Sequence, residues 1–215
     1  MNSPKRWQSV VCLLLGVWLA GSVAASGNKS QGMTLPATLS AMQQRLADTQ
    51  RLTSTFTQTR TLTLLSRPLI SSGTMAYDKK EGICWQLLKP VPASVMLSRD
   101  QVLVQDIESK QVIKQTNPVL RLYSNLLFSV FSGDLAALQE HFTLTWSTEG
   151  DRWQLNLQPL DPLMAQLAAT IRIIGGQHID QVSLLTQEGD QTLLEFDSVK
   201  SFTGAPAQLT FECGQ

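Results

Sequence analysis

From Thr53 to Thr63 every second residue is a threonine, within a segment that reads RLTSTFTQTRTLTLL over residues 51–65. Side chains alternate faces along a strand. Thr53, Thr55, Thr57, Thr59, Thr61 and Thr63 therefore share one face, and Leu52, Phe56, Leu62 and Leu64 share the other. The spacing predicts a single strand of about 40 to 50 Å at roughly 3.3 Å per residue, about twice the usual length. A strand that long bends, and bent strands wall a curved sheet or partial barrel. Curved sheets enclose cavities, and a cavity without catalytic residues around it points to cargo.

The rest of the chain supplies the other walls. Short strands are predicted at 70–78, 83–89, 93–98 and 101–107, divided by Asp, Lys, Gly, Pro and Ser, a spacing that suits antiparallel hairpins. Pro90 and Pro92 cannot donate to a ladder, which puts their link at an edge or corner. Further strands are predicted at 141–148, 152–158, 169–174, 178–186, 191–200 and 207–213, about ten or eleven in all.

Three helices accompany them. Leu39, Met42 and Leu46 recur at helical spacing within residues 35–49 and leave one narrow apolar stripe. Residues 117–132 carry a cap in Asn117, a first-turn Pro118 and a closing Gly133. That helix is apolar over most of its circumference, with Leu122, Leu126, Leu127, Phe128, Val130 and Phe131, which is more than a surface helix needs. Asp134 to Leu138 adds a short helical turn, and the third helix is DPLMAQLA at 161–168.

The N-terminus reads as a secretory signal. Lys5 and Arg6 precede the apolar run VVCLLLGVWLAGSVAA, and the small residues Val23 and Ala25 fit cleavage before Ser26, although an uncleaved anchor is the alternative reading. Leu19-Ala20-Gly21-Ser22 is similar to a bacterial lipoprotein processing box with serine where an acylated cysteine is required, so the mature chain is expected to be soluble and free of lipid. Residues 26–34 form a flexible lead, and 35–215 one domain, since the 190 residues left after position 25 suffice for one sizeable core. Loss of Lys5 and Arg6 takes the basic count from 17 to 15 against 17 acidic residues, a net charge of about −2. Nothing in that balance favours nucleic acid or an anionic membrane.

Enzyme chemistry has little to stand on. His141 and His178 each adjoin a predicted strand without a carboxylate or cysteine pattern, and no HExxH, CxxC, phosphate-binding glycine loop or GxSxG elbow occurs. No metal ligand set or cofactor motif is legible. Glu195 and Asp197 lie two apart on one strand face, as a solvated acidic face does. Cys84 and Cys213 remain after signal removal in an oxidising compartment, where a bridge or two separate thiols are both open.

Phe56-Thr57-Gln58, Gly73-Thr74-Met75-Ala76-Tyr77, Trp85, Lys89-Pro90 and the strand at 94–98 together resemble the front half of the periplasmic outer-membrane lipoprotein carrier family, LolA and its relatives. The resemblance implies a mainly β fold with α: an unclosed antiparallel β-barrel lidded by three helices. It also implies an apolar interior holding the acyl chains of a lipoprotein in transit through the periplasm of a Gram-negative bacterium. Such a carrier is a monomer and no enzyme. It takes acylated lipoprotein from an inner-membrane releasing complex and delivers it to an outer-membrane acceptor. The cavity and lid would be lined by Phe56, Met75, Trp85, Met96, Leu122, Leu126 and Phe128.

Two departures stand out. The family's latch arginine, which bonds helix backbone, is matched in position by Lys79, with Lys80 in place of a proline; lysine lacks arginine's planar fork, so a latch here is expected to be built differently. The run Arg67-Pro68-Leu69-Ile70-Ser71-Ser72-Gly73 looks more like a divergent LolA-like branch, whose cargo could equally be a glycolipid or polyene lipid served by a dedicated export system.

Overall fold

The computed structural model describes residues 37–98, 102–106, 112–115, 118–160, 162–166 and 168–203. Eleven strands form one antiparallel sheet: β1 Arg51–Thr61, β2 Leu69–Asp78, β3 Gly82–Lys89, β4 Ala93–Leu97, β5 Val102–Asp106, β6 Val112–Gln115, β7 Phe142–Glu149, β8 Arg152–Pro159, β9 Thr170–Gly175, β10 Ile179–Leu185 and β11 Gln191–Phe202. Their order across the sheet is β6-β5-β4-β3-β2-β1-β11-β10-β9-β8-β7. Neighbours in the sheet are consecutive in sequence except β1 and β11, the first and last of these strands, which pair in its middle. The edge strands β6 and β7 do not pair, so the curved sheet is an unclosed barrel, as expected from the sequence.

Four helices accompany it among the described residues: α1 Ala37–Asp48, α2 Pro118–Ser132, α3 Leu135–Gln139 and α4 Pro162–Ala165. The three predicted helices are α1, α2 and α4, and the expected helical turn is α3. No helix among the described residues is long and apolar enough to cross a membrane. The expected strand at 207–213 lies outside the described residues.

Alternation along β1 is nearly complete. Leu52, Ser54, Phe56, Gln58 and Arg60 are buried, while Thr53, Thr55, Thr57, Thr59 and Thr61 face outward. The strand is shorter than its threonine period. Thr61 makes the last pair with Gln191, and the next threonine is captured elsewhere: the Asp190 carboxylate accepts hydrogen bonds from the Thr63 amide at 2.7 Å and from its hydroxyl at 2.9 Å. Residues 62–65 then turn, closed by the Leu65 amide on the Leu62 carbonyl, and the predicted extension to Leu65 is corrected. The bend expected of a long strand comes from a register shift between Thr53 and Thr55 against β11, where Ser198 has φ +53°.

One core cluster fills the concave side, with Leu39, Met42 and Leu46 of α1 and Phe128, Val130 and Phe131 of α2 laid over the inner residues of the sheet. α2 ends by the mechanism the sequence suggested. Gly133 takes φ +67°, the Asp134 amide donates to the Ser129 carbonyl and the Gly133 amide to the Val130 carbonyl. Asp134 at once caps α3 by accepting from the Ala137 amide at 3.0 Å.

Candidate functional site

Beneath α2 lies a cavity of about 80 Å³, bounded on the sheet side by Trp85, Val95, Leu97, Val102 and Val104 on one flank and Ile171, Ile173, Val182, Leu184, Leu194 and Phe196 on the other. Leu126, Leu127, Val130 and Phe131 of α2 form its roof. Thr192 supplies the sole hydroxyl among the described lining residues. The apolar character follows directly from strand alternation: each lining residue is the inward member of its strand, and each strand is rich in Val, Ile and Leu at those positions.

Aromatic rings tie roof to wall. Phe56 sits against Trp85 with centroids 4.3 Å apart, and Trp85 meets Phe196 edge to face at 6.1 Å. Phe196 in turn meets Phe131 of the roof at 5.9 Å, and Tyr77 reaches both Phe131 (6.0 Å) and Phe128 (6.3 Å). Such pairs contribute about 0.5 to 1.5 kcal/mol each beyond their burial. Trp85 is 6% exposed, and its indole Nε1–H has no hydrogen-bond partner among the described residues.

The residues singled out in the sequence scatter round this cavity rather than all lining it. Trp85 and Leu126 border it directly. Phe56 lies behind Trp85, and Met75 pairs with Trp85 across β2 and β3 while remaining 2% exposed. Phe128 is buried against Tyr77. Met96 is a correction: it stands opposite Cys84 in the β3–β4 ladder, one residue out of phase with the Trp85–Val95 pair, so it is on the convex face. The Leu122 side chain lies outside the described residues.

Sequence reasoning missed a polar group within the concave face. Gln58 is 1% exposed and accepts a hydrogen bond from the Ser71 hydroxyl at 3.5 Å, and Arg60 is buried one rung further along β1. Their positions were legible in the alternation, since both share the phase of Phe56. Their polarity hid them.

Lys79 donates from Nζ to the Ala47 carbonyl at 2.7 Å, and its amide donates to the Gln50 carbonyl at 2.9 Å. It therefore grips the last turn of α1, where a cation also complements the helix dipole. The side chain at the family's latch position thus bonds helix backbone through a single ammonium, on the helix Ala37–Asp48. α1 in turn lies against the end of α2, where Gly133 approaches Gln43 and Leu46.

Next to this lysine, Asp78 pairs with Arg51 directly across the β1–β2 ladder, and its Oδ1 accepts from the Lys80 and Glu81 amides at 2.8 and 3.0 Å. Burial, the largest single influence, raises the Asp78 pKa. The two amides and the Arg51 guanidinium together outweigh it, and the carboxyl titrates below its ordinary value. Cys84, on the convex face, is disulfide-bonded, and Cys213 lies outside the described residues. His141 is exposed and His178 half-buried, each just before a strand, and no group of three or more metal-binding side chains occurs among the described residues.

The family profile described as "Outer membrane lipoprotein carrier protein LolA" matches residues 47–212. No curated protein matches in sequence. Among solved structures, a DUF1329 family protein from Desulfovibrio piger is 10% identical with a TM-score of 0.44, covering 78% of this chain and 92% of that one. A LolA superfamily protein from Nitrosomonas europaea is 9% identical with a TM-score of 0.39, covering 77% and 94%. The MucA/MucB complex of Pseudomonas aeruginosa gives 14% identity and a TM-score of 0.45, covering 80% of this chain and 59% of its counterpart.

Proposed function

The chain belongs to the outer membrane lipoprotein carrier family LolA, and from that premise we propose that it is a periplasmic carrier that shelters the acyl chains of a lipoprotein beneath α2 on the way to the outer membrane. The observation that carries this reading is the apolar cavity roofed by α2. Its partners are then an inner-membrane releasing complex and an outer-membrane acceptor.

As it stands, the cavity is too small for a whole acyl chain. At roughly 10 to 15 Å³ for each water-sized group, 80 Å³ accommodates about six such groups, so α2 must lift to admit cargo. Magnitudes decide whether that exchange is workable. Leu126, Phe128, Val130 and Phe131 are buried under the present roof, at about 1.5 to 3 kcal/mol each, or roughly 6 to 12 kcal/mol in all. A buried chain of about 16 carbons is worth roughly 13 kcal/mol at about 0.8 kcal/mol per methylene. Cargo thus replaces roof contacts with a modest net gain, which permits both capture and release. A barrel with a preformed empty lumen would hold the chain far more tightly.

The orphan Trp85 N–H favours cargo that brings an acceptor, such as the ester or amide carbonyl of an acyl group, because a buried unsatisfied donor costs about 1 to 3 kcal/mol. A second reading keeps the cavity and exchanges the cargo for a glycolipid or polyene lipid. Native mass spectrometry of protein purified from the periplasm separates them. Release of acylated peptide on denaturation supports the first, release of peptide-free lipid supports the second. A clean apo mass combined with no uptake of a fluorescent fatty acyl probe would overturn both.

A further inference from the structure

Large apolar side chains exposed singly on a protein surface are ordinary, but a cluster of them is not. Among the described residues, those exposed here all stand at one end of the sheet. β1, β3, β8 and β10 finish there and β2, β4, β9 and β11 begin there, as the pairs Arg60 with Leu69, Thr61 with Gln191, Ser72 with Lys89 and Leu185 with Thr170 show. Leu64 and Leu65 lie on the β1–β2 turn, Leu69 and Ile70 open β2, and Leu88 and Val91 flank the β3–β4 turn. The remaining two, Leu160 and Leu185, directly follow β8 and end β10. Leu64, at 95% exposure, is a protruding knob rather than part of a groove. The opposite end of the sheet carries instead the charged turns Asp78-Lys79-Lys80-Glu81 and Glu149-Gly150-Asp151-Arg152. The molecule is therefore polarised along its strands.

Charge at the apolar end adds a direction. Arg67 and Lys89 are exposed among the leucines of the β1–β2 and β3–β4 turns. Of the acidic residues at that end, Glu188 and Asp190 belong to the neighbouring β10–β11 turn, where the Asp190 carboxylate is engaged by Thr63, while Asp106 ends β5 and Glu140 precedes β7. Apolar tips that protrude, with long basic side chains able to extend past them, match the boundary between acyl chains and anionic head groups. The cavity also reaches this end: its wall residues Leu184 and Thr192 are one rung from the rim formed by Leu185 and Gln191.

We infer that this end of the sheet is a membrane-docking surface that seats on a phospholipid bilayer containing anionic lipid, with Leu64 and Leu65 entering the interface and Arg67 and Lys89 contacting head groups. The inference rests on the carrier reading for its purpose, since a chain leaving the cavity beside this rim would pass directly into the bilayer.

Flotation of the purified protein with phosphatidylethanolamine/phosphatidylglycerol vesicles and with phosphatidylcholine vesicles tests it. The protein is expected to float with the anionic vesicles and to be released by high salt. Arg67→Gln with Lys89→Gln should weaken binding about fivefold per charge removed, and Leu64→Asp with Leu65→Asp should abolish it, with thermal melts unchanged because these side chains are exposed. Uptake of a micellar acyl probe separates this from the carrier reading. The Leu64/Leu65 variant should still take up the probe, and Leu194→Trp, which fills the cavity, should lose uptake yet still float. Flotation without any probe uptake in the unaltered protein supports docking and counts against the carrier reading alone. Failure to float with either vesicle, equal flotation of the Leu64/Leu65 variant, or binding only to vesicles that contain a membrane protein overturns the inference.

Discussion

The Lys79 ammonium is 2.7 Å from the Ala47 carbonyl oxygen, so one flexible side chain joins the β2–β3 turn to the C-terminus of α1. The contact combines a charge-assisted hydrogen bond with a favourable helix-end charge, worth about 1 kcal/mol at this half-buried site. Lys79→Met is expected to lower stability by about that much and to speed both uptake and loss of an acyl probe, whereas Lys79→Arg should retain most of the effect. Stopped-flow fluorescence on the three proteins measures it, and identical rates would remove Lys79 from the closing mechanism.

Gly133 is held at φ +67°, and a Cβ built there would lie 2.8 Å from the Gln43 carbonyl oxygen and 3.0 Å from Leu46 Cβ. Gly133→Ala therefore imposes both backbone strain and a push of α1 away from α2. A loss of about 1 to 3 kcal/mol is expected, read as a lower urea midpoint. A variant as stable as the parent would mean that the two helices do not close on each other here.

Asp78 titrates below its ordinary value in the folded chain. A carboxyl depressed by folding adds stability that is present above its unfolded pKa and is lost as pH falls through the folded one. Stability should thus decline as the medium is acidified from the ordinary carboxylate range downward, and Asp78→Asn should flatten that part of the curve while lowering the plateau at neutral pH. Urea titrations across pH measure both.

Cys84 is disulfide-bonded on the convex face. We expect a non-reducing peptide map to join the peptide containing Cys84 to the one containing Cys213. Reduction should then cost about 2 to 4 kcal/mol, given the long loop that such a bond closes. Recovery of Cys213 as a free thiol would rule the pairing out.

Much of the architecture was readable because strand alternation and helix capping are local properties. The threonine ladder identified the outward face of β1, and Asn117, Pro118 and Gly133 framed α2 to within a residue. What stayed hidden depends on partners distant in sequence. β1 stops at Thr61 because Asp190 takes Thr63, and nothing near residue 63 announces it. β6 was overlooked because a four-residue edge strand, Val112–Gln115, has too few turns of the period to register. Met96 was misplaced because composition marks a side chain as apolar without saying which way it points. Arg60 and Gln58 escaped notice for the converse reason: the phase that buries them contradicts the usual expectation for polar residues.

The unpaired edges β6 and β7 are consecutive strands in the chain, and everything between them is α2 and α3. The lid is accordingly stitched to both lips of the gap it covers. Lifting it changes the girth of the barrel, and spreading the barrel draws on the lid. On the carrier reading proposed above, loading would be a single mechanical motion of a split hoop with a clasp across its opening, and substitutions that stiffen either lip should be felt at the clasp without touching it.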